Sequence, residues 1–415
     1  DLKEIDKLEA SRDYTNAISS LKAMLAQDQT EIIRYRLALI ELKTGQVKNA
    51  LANFQLCSAL EPQNHGVTLN YGHALKAAGE NQQAAEKYLQ LTKMTDNKIV
   101  AIGYWSLASL KSYSFLAEDI DDITQRLKLE TTPPGYRGLL LLSLAEALDQ
   151  QGNDDEAFMA LQRGNDIIAQ HRPFRGDLYQ QLIQALMRDF KPSANSNTES
   201  LDTPIFIIGM PRSGSTLLEQ ILANHSQVEA THELLFLGDI SIELENKGGY
   251  AKQLSYLPAE KATAFAHDYL TKTAIYRDTD SAYFIDKNPN NFLHIGLIKT
   301  IFPDARIINI VRDPLDNGVG VFRHFFSEGH EFSYSFEAII FYWQGYLALM
   351  QHWQNLFPGE IYNLSYEHLV RHPDASIEAL LDYCQLTSEP ACFAPEKSNR
   401  AVLTPSAAQG RKTIS

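Results

Sequence analysis

The sequence contains few cysteines and no long apolar run. Its three cysteines, Cys57, Cys384 and Cys392, are spaced over 415 residues in a way that forms neither a disulfide framework nor a zinc pattern. Its apolar stretches are shorter than the about 20 residues that a membrane-spanning helix needs, and no signal-peptide pattern is visible. We therefore expect a cytoplasmic protein with buried free thiols.

Basic residues are also scarce. The chain has 37 Lys and Arg against 51 Asp and Glu, a formal net charge of −14. This balance argues against a general nucleic-acid or anionic-membrane surface, so we predict neither partner. The few lysines and arginines that fall inside motifs gain weight as ligand contacts.

What the first part of the chain does contain is a repeated pattern of glycine, alanine and large apolar residues. Three sets share it: Leu37, Ala38, Gly45, Ala50, Phe54 and Pro62; Tyr71, Gly72, Gly79, Ala84 and Tyr88; and Leu144, Ala145, Gly152, Ala157 and Leu161. The glycine, the alanine and the large apolar residue recur at offsets of five and four, and the second set lies 34 residues after the first. This spacing is typical of tetratricopeptide repeats, which are pairs of antiparallel helices.

Two further segments extend the pattern. Tyr14, Ala17 and Leu21 indicate the second helix of an earlier unit, and residues 105–127 indicate a degenerate unit. We predict an all-α tetratricopeptide superhelix over residues 1–190, because a single helix pair cannot bury its apolar face alone. Its groove would hold an acceptor peptide or a partner protein. The alternative is a purely structural extension.

After residue 190 the pattern changes. Residues 191–203 are polar and turn-rich, and they predict a linker. Predicted strands at 205–208, 282–285, 306–311 and 360–364 then alternate with helical patterns at 216–223, 290–301, 336–356 and 375–381. This alternation predicts an α/β P-loop-like domain with a parallel sheet over residues 204–415. Ligands of such sheets bind outside the carboxyl ends of the strands.

The turn after the first of these strands has the form G-x-x-x-x-G-S-T, from Gly209 to Thr216. This is the spacing of a phosphate-binding loop, with Ser215 where a nucleotide hydrolase has lysine. Backbone N–H groups and the helix N-terminus can still bind an anion there, and Arg212 offers a bidentate cation. The loop predicts a nucleotide with 5′-phosphate chemistry other than a triphosphate.

Four motifs follow one another in this half of the chain. They are PRSGST at 211–216, FIDKNPNNF at 284–292, RIINIVRDPLD at 306–316 and IYNLSYEHL at 361–369. In this order they resemble the motifs of sulfotransferases that use 3′-phosphoadenosine 5′-phosphosulfate (PAPS), of the tetratricopeptide-linked bacterial kind. They also have local similarity to the tyrosylprotein sulfotransferases. The resemblance implies transfer of a sulfuryl group to an acceptor hydroxyl, on a peptide tyrosine, a sugar or a phenol.

The resemblance also implies a donor site. Arg212 would grip the sulfuryl end, while Ser213, Gly214, Ser215 and Thr216 would hold the 5′-phosphate. Lys287 matches the lysine that stabilises the bridging oxygen as the sulfuryl group departs, and Arg312 matches the arginine that pairs with the 3′-phosphate. Tyr366 is either an adenosine or 3′-phosphate contact or part of the core. No metal site is predicted.

Three interpretations stay open for the general base. Glu233 matches the glutamate that takes the acceptor's proton in the tyrosylprotein enzymes. Because a free glutamate has a pKa of about 4.3, a poor match for a hydroxyl, we expect Glu233 in a partly dry cleft. His232 is the competing base, and a turn cap made by both residues is the third interpretation.

One position departs from the family pattern. The family usually has a serine eight residues after the arginine that pairs with the 3′-phosphate, where this chain has Gly320. The missing hydroxyl removes about 1.5–3 kcal/mol of hydrogen bonding, and Arg411 and Lys412 are candidates to replace it over the same phosphate. Two alternative functions therefore stay open: a repeat-based binding scaffold with an inactive transferase domain, and a nucleotide kinase. The absence of the loop lysine counts against the kinase.

Overall fold

The computed structural model describes residues 2–28, 30–129, 132–192, 203–326 and 328–397. These residues form two compact units. One comprises residues 2–174 and 322–335, and the other comprises residues 175–321 and 336–397. The borders predicted from the sequence stay predictions, and most of the predicted linker lies outside the described residues.

The first unit consists of helices. Their bounds are α1 (Leu2–Ala10), α2 (Tyr14–Gln27), α3 (Glu31–Lys43), α4 (Val47–Leu60), α5 (His65–Ala78), α6 (Asn81–Thr92), α7 (Asn97–Ala108), α8 (Ala117–Leu127), α9 (Pro134–Gln150) and α10 (Asp154–His171). A short 3-10 helix, Glu331–Tyr334, belongs to the same unit.

Each of the three aligned sets forms a helix pair: α3 with α4, α5 with α6, and α9 with α10. The turns contain Gly45, Gly79 and Gly152 at φ of +80°, +87° and +76°, a left-handed conformation that favours glycine. Small residues lie where the helices touch. A Cβ on Gly72 would be 2.5 Å from Tyr88 Cε1, so only glycine permits this approach. The helical hairpins predicted for the three sets are confirmed, and Tyr14, Ala17 and Leu21 lie in α2, which follows α1. The predicted degenerate unit at 105–127 contains only the end of α7 together with α8.

Residues 322–335 pack into this first unit although they follow the phosphate-site motifs in sequence. Arg172 binds the segment through Nη1 to the Phe326 carbonyl at 2.8 Å and through Nη2 to Glu331 Oε1 at 2.7 Å. Asn165 donates to the Phe322 carbonyl at 2.8 Å, and the Trp105 ring meets Phe325 edge to face. The repeat helices therefore bind an internal segment of the same chain.

The second unit is an α/β domain. Its strands are β1 (Thr203–Gly209), β2 (Val228–Ala230), β3 (Tyr283–Lys287), β4 (Arg306–Val311) and β5 (Ile361–Ser365). Its helices are α11 (Gly176–Asp189), α12 (Ser215–Ala223), α13 (Phe236–Asn246), α14 (Tyr250–Ser255), α15 (Ala259–Thr273), α16 (Ile295–Ile301), α17 (Pro314–Phe322), α18 (Phe336–Leu356), α19 (Tyr366–Arg371) and α20 (Pro373–Tyr383). Short 3-10 helices lie at Ala274–Tyr276, Pro289–His294, Pro390–Phe393 and Pro395–Lys397.

The strands pair in the order β2-β3-β1-β4-β5, and every pairing is parallel. This confirms the predicted parallel sheet. The central strand β1 is buried on both faces, since Ile205, Phe206, Ile207 and Ile208 are all 0% exposed. That is why the strand is one continuous apolar run in the sequence.

Three of the four predicted strands lie within one or two residues of the observed bounds, and β4 has the bounds that were predicted. Only β2 was missed. It has three residues, and the central one, Glu229, is charged and forms an ion pair with Arg277, so no apolar run marks this strand. Among the residues that the structure describes, no helix combines the length and the apolar character needed to cross a membrane. The three cysteines are buried thiols.

Candidate active site

The predicted site residues gather at one edge of the sheet. Because all five strands are parallel, their carboxyl ends meet there. The phosphate loop leaves β1, Glu233 follows β2, Lys287 ends β3, Arg312 follows β4 and Tyr366 follows β5.

The phosphate loop has an unusual backbone. Gly209 has φ +148°, and a Cβ there would be 2.5 Å from the Ile310 carbonyl oxygen of β4. Arg212 has φ +65° and Gly214 has φ +102°. Gly214 is the N-cap residue of α12 and, because it is a glycine, offers no side-chain cap to this helix. The first N–H groups of α12, at Ser215 and Thr216, are thus the kind of donors that bind an anion.

Two arginines converge beside this helix end. Arg312 Nη1 donates to the Arg212 carbonyl oxygen at 3.3 Å. Burial lowers the pKa of Arg212, and the charge of Arg312 lowers it further. Arg312 Nη2 lies 3.8 Å from Asp316 Oδ2, and the Asp316 side chain is two-thirds exposed, which gives a weak ion pair. An anion between the two guanidinium groups would relieve their repulsion.

Two buried polar atoms of this site have no hydrogen-bond partner within the described part of the chain. They are Ser213 Oγ and Arg312 Nε. Buried polar atoms are normally satisfied in native proteins, so both fit a phosphate ligand that supplies acceptor oxygens. The donor set therefore fits the predicted nucleotide.

Tyr366 connects β5 to this arrangement. The Arg312 guanidinium lies 4.8 Å over its ring, a cation–π distance. A Cβ on Gly214 would be only 2.4 Å from Tyr366 Cδ2. The ring therefore lies against the phosphate loop on one side and carries Arg312 on the other.

One residue that holds the phosphate loop in place was not recognised in the sequence. Asn317 Nδ2, in the first turn of α17, donates to the Pro211 carbonyl oxygen at 2.8 Å and so fastens the loop. Asn317 directly follows the RDPLD motif, and this position was its only signal.

Gly320 also lies beside the loop. A Cβ on Gly320 would be 3.6 Å from the Arg212 Cβ, an ordinary contact distance. A small side chain would therefore fit, and the missing serine hydroxyl is not excluded by lack of space. Arg411 and Lys412, the predicted replacements, lie outside the described residues.

Glu233 and Lys287 form an ion pair across the ends of β2 and β3. The lysine is buried, with 1% of its side chain exposed, whereas 46% of the Glu233 side chain is exposed. The expected dry cleft around Glu233 is therefore not present in this structure. His232 has φ +72°, and its carbonyl oxygen accepts the Lys287 N–H at 3.1 Å.

Asp286 lies behind this pair and is fully buried. It accepts hydrogen bonds from Tyr269 Oη at 2.7 Å, Asn291 Nδ2 at 3.2 Å and the Leu234 N–H at 3.4 Å. Burial raises the pKa of Asp286 to about 7, although these donors oppose the rise. In the sequence it lies beside Lys287 in the motif at 284–292.

Comparison with known proteins agrees with the motifs. Residues 204–390 match the model of the Sulfotransferase family. A "Putative protein-tyrosine sulfotransferase" of Caenorhabditis briggsae is 22% identical over 205 residues, which are 46% of this chain and 67% of that protein.

Two further proteins are similar over other extents. An uncharacterized Aquifex aeolicus protein is 29% identical over 367 residues, 85% of this chain and 48% of that protein, so this chain spans about half the length of that relative. The solved sulfotransferase domain from the Synechococcus PCC 7002 olefin synthase aligns with a TM-score of 0.40 at 22% identity, over 55% of this chain and 88% of that domain.

Proposed function

We propose that the sulfotransferase-family domain of residues 204–390 transfers a sulfuryl group from PAPS to an acceptor hydroxyl. The convergence of Arg212 and Arg312 beside the N-terminal end of α12 is the observation that carries the proposal. It supplies two cations and a set of N–H donors at the edge where nucleotides bind such sheets.

The residues divide between the two ends of the donor. The backbone of the 213–216 turn and the Ser213 hydroxyl would bind the 5′-phosphate, with Arg212 toward the sulfuryl end. Arg312, held by Tyr366, would pair with the 3′-phosphate. Bidentate arginine contacts suit both groups.

The ion pair at the ends of β2 and β3 fits the transfer step. PAPS supplies the sulfuryl group, whose bond to the bisphosphate is replaced by a bond to the acceptor oxygen. Glu233 is exposed enough to meet the acceptor. Binding of the acceptor would exclude water from its carboxylate, which a glutamate needs in order to accept the hydroxyl proton. The buried Lys287 ammonium would neutralise the charge that develops on the departing bisphosphate, since lysine has three donors and is not used up by one carboxylate.

For the acceptor we propose a tyrosine hydroxyl on a peptide, with a sugar or a phenol as the other classes. The position of Glu233 favours tyrosine, as does the name of the Caenorhabditis relative. The helical repeats would hold the peptide, and the tetratricopeptide assignment is part of this proposal.

Titration with 3′,5′-bisphosphoadenosine by calorimetry tests the donor site. We expect micromolar binding by the wild type, loss of binding in Arg312→Ala, and unchanged binding in the matched control Arg371→Ala, an exposed arginine on α19. ATP with magnesium should not bind. Selective binding of ATP would instead support a nucleotide kinase, and no binding of either ligand by a folded chain would support the scaffold alternative.

Transfer itself is tested with radiolabelled PAPS and three acceptor probes: a tyrosine-containing peptide, 2-naphthol and a neutral disaccharide. Labelling of one class by the wild type, abolished in Glu233→Gln and Lys287→Ala, would support the proposed roles. Binding of the bisphosphate without labelling of any probe would contradict the acceptor assignment.

A further inference from the structure

The segment that carries Glu233 is attached to β3 beyond the point where β2 ends. Pairing of the two strands stops at Ala230 opposite Ile285. The Thr231 N–H and hydroxyl then both donate to the Ile285 carbonyl, at 3.0 and 2.8 Å. The Lys287 N–H donates to the His232 carbonyl at 3.1 Å. Thr231 and His232 are thus bonded to two alternate residues of β3, Ile285 and Lys287.

Leu234, the next residue after Glu233, is held by both of its backbone groups. Its N–H donates to Asp286 Oδ1 at 3.4 Å, and its carbonyl accepts from Asn288 Nδ2 at 3.0 Å. These two side chains flank Lys287 in sequence. The backbone on both sides of Glu233 is therefore fixed to the strand end that carries its lysine partner.

Asp286 suits this task because its carboxylate is shielded from water and accepts its hydrogen bonds from protein groups. It is 0% exposed, and all three of its described partners act as donors. Tyr269 and Asn291 bind one carboxylate oxygen, which leaves the other oxygen for the Leu234 N–H. An asparagine in its place would either present its amide NH₂ to a donor or lose one partner.

We propose that Asp286 and Asn288 are positioning residues. Their hydrogen bonds to the Leu234 backbone hold Glu233 next to Lys287. This inference rests on the proposed sulfuryl transfer, in which Glu233 accepts the acceptor's proton. Neither residue touches the reacting atoms. A misplacement of the base by about 1 Å can cost a hundredfold in rate. Loss of these two hydrogen bonds should therefore lower turnover and leave donor binding unchanged.

The first measurement needs no acceptor. Amide hydrogen exchange of the full chain should show protection of Leu234 in the wild type and faster exchange there in Asp286→Asn, with the phosphate loop at 210–216 unchanged. The second measurement is kinetic. With radiolabelled PAPS and the tyrosine peptide or 2-naphthol, Asp286→Asn should lower kcat by about tenfold to a hundredfold and leave the KM for PAPS within about twofold.

Tyr269→Phe is the matched control. It removes the shortest hydrogen bond to the same buried carboxylate and leaves the Leu234 contact in place. We expect lower thermal stability, kcat within about twofold of the wild type, and unchanged exchange at Leu234. If Asp286→Asn does not fold, Asn288→Asp tests the hydrogen bond to the Leu234 carbonyl. This variant removes the donor to Leu234 and keeps an acceptor for the Asn290 N–H.

The possible failures are distinct. A wild type that labels no probe overturns the proposed function. Hydrogen exchange still tests the hydrogen bonds of Asp286 and Asn288 to the Leu234 backbone. Wild-type exchange at Leu234 and wild-type kcat in a folded Asp286→Asn chain overturn the inference. So does a Tyr269→Phe variant that loses as much kcat as Asp286→Asn, because the effect would then follow from stability alone.

Discussion

Gly214 is the position at which one added methyl group should disturb the whole of the proposed donor site. Its φ of +102° lies where residues with a Cβ are strained. Its missing Cβ would be 2.4 Å from Tyr366 Cδ2 and 2.8 Å from Cε2. The Tyr366 ring cannot move without shifting the Arg312 guanidinium that lies over it.

The cost of Gly214→Ala has two parts. Placing alanine in the left-handed region costs about 1–2 kcal/mol. Forcing a methyl group into a packed site costs about 1–3 kcal/mol more. We therefore expect the free energy of unfolding to fall by about 2–5 kcal/mol. Affinity for 3′,5′-bisphosphoadenosine should fall at least about tenfold, because Arg312 and the loop donors no longer share one geometry.

Gly238→Ala is the control for this prediction. Gly238 lies in the first turn of α13, and no atom lies within 4 Å of a Cβ built on it. Alanine there should stabilise the helix by up to about 1 kcal/mol. Calorimetric unfolding and titration with the bisphosphate measure both variants. If Gly214→Ala matches Gly238→Ala in both experiments, the ring and the loop are not coupled as described.

Four other changes test separate features. His232→Gly should change the free energy of unfolding by less than about 1 kcal/mol, because glycine accepts the positive φ, and should keep kcat within about twofold; a large loss of kcat would make the histidine the base. Gly320→Ser should raise affinity for the bisphosphate about tenfold by adding one charge-assisted hydrogen bond, measured by calorimetry. Arg172→Gln should expose the segment between α17 and α18 to limited proteolysis and destabilise the chain by about 1–3 kcal/mol, whereas the exposed Arg163→Gln should do neither. Because burial raises the pKa of Asp286 from 3.8 to about 7, the folded chain binds this proton more tightly than the unfolded chain does. The free energy of unfolding should fall as pH rises from about 4 to about 7, and chemical denaturation of Asp286→Asn should show a flatter profile.

Local patterns were enough to predict most of the sheet and its ligand edge. The buried strand β1 is a continuous apolar run, and the glycines of the loop mark the backbone turns that follow it. Arg312 and Lys287 could be placed at this edge because each directly follows or ends an apolar strand. Parallel pairing then brings these strand ends together, so short-range signals were sufficient for placing them.

Other features depend on contacts that no local pattern encodes. The solvent exposure of Glu233 is set by how the segment after β2 is bonded to β3, and β2 itself is too short to produce an alternation. The attachment of residues 322–335 to the repeat helices depends on Arg172, which lies about 150 residues earlier in the sequence. The aromatic content of the segment suggested burial but did not identify its partner.

The absent loop lysine explains why the proposed donor site depends on residues from three strands. In a nucleotide hydrolase the loop itself delivers a cation to the phosphates. Here Ser215 occupies that position, and charge comes from Arg212 in the loop and from Arg312 at the end of β4. Tyr366, at the end of β5, holds the second arginine in place. The close approach of Gly209 to β4 therefore does more than close a turn. It sets β1 against β4 and so brings Arg212 and Arg312 close together. The repulsion between these two charges is compensated when an anion binds between them.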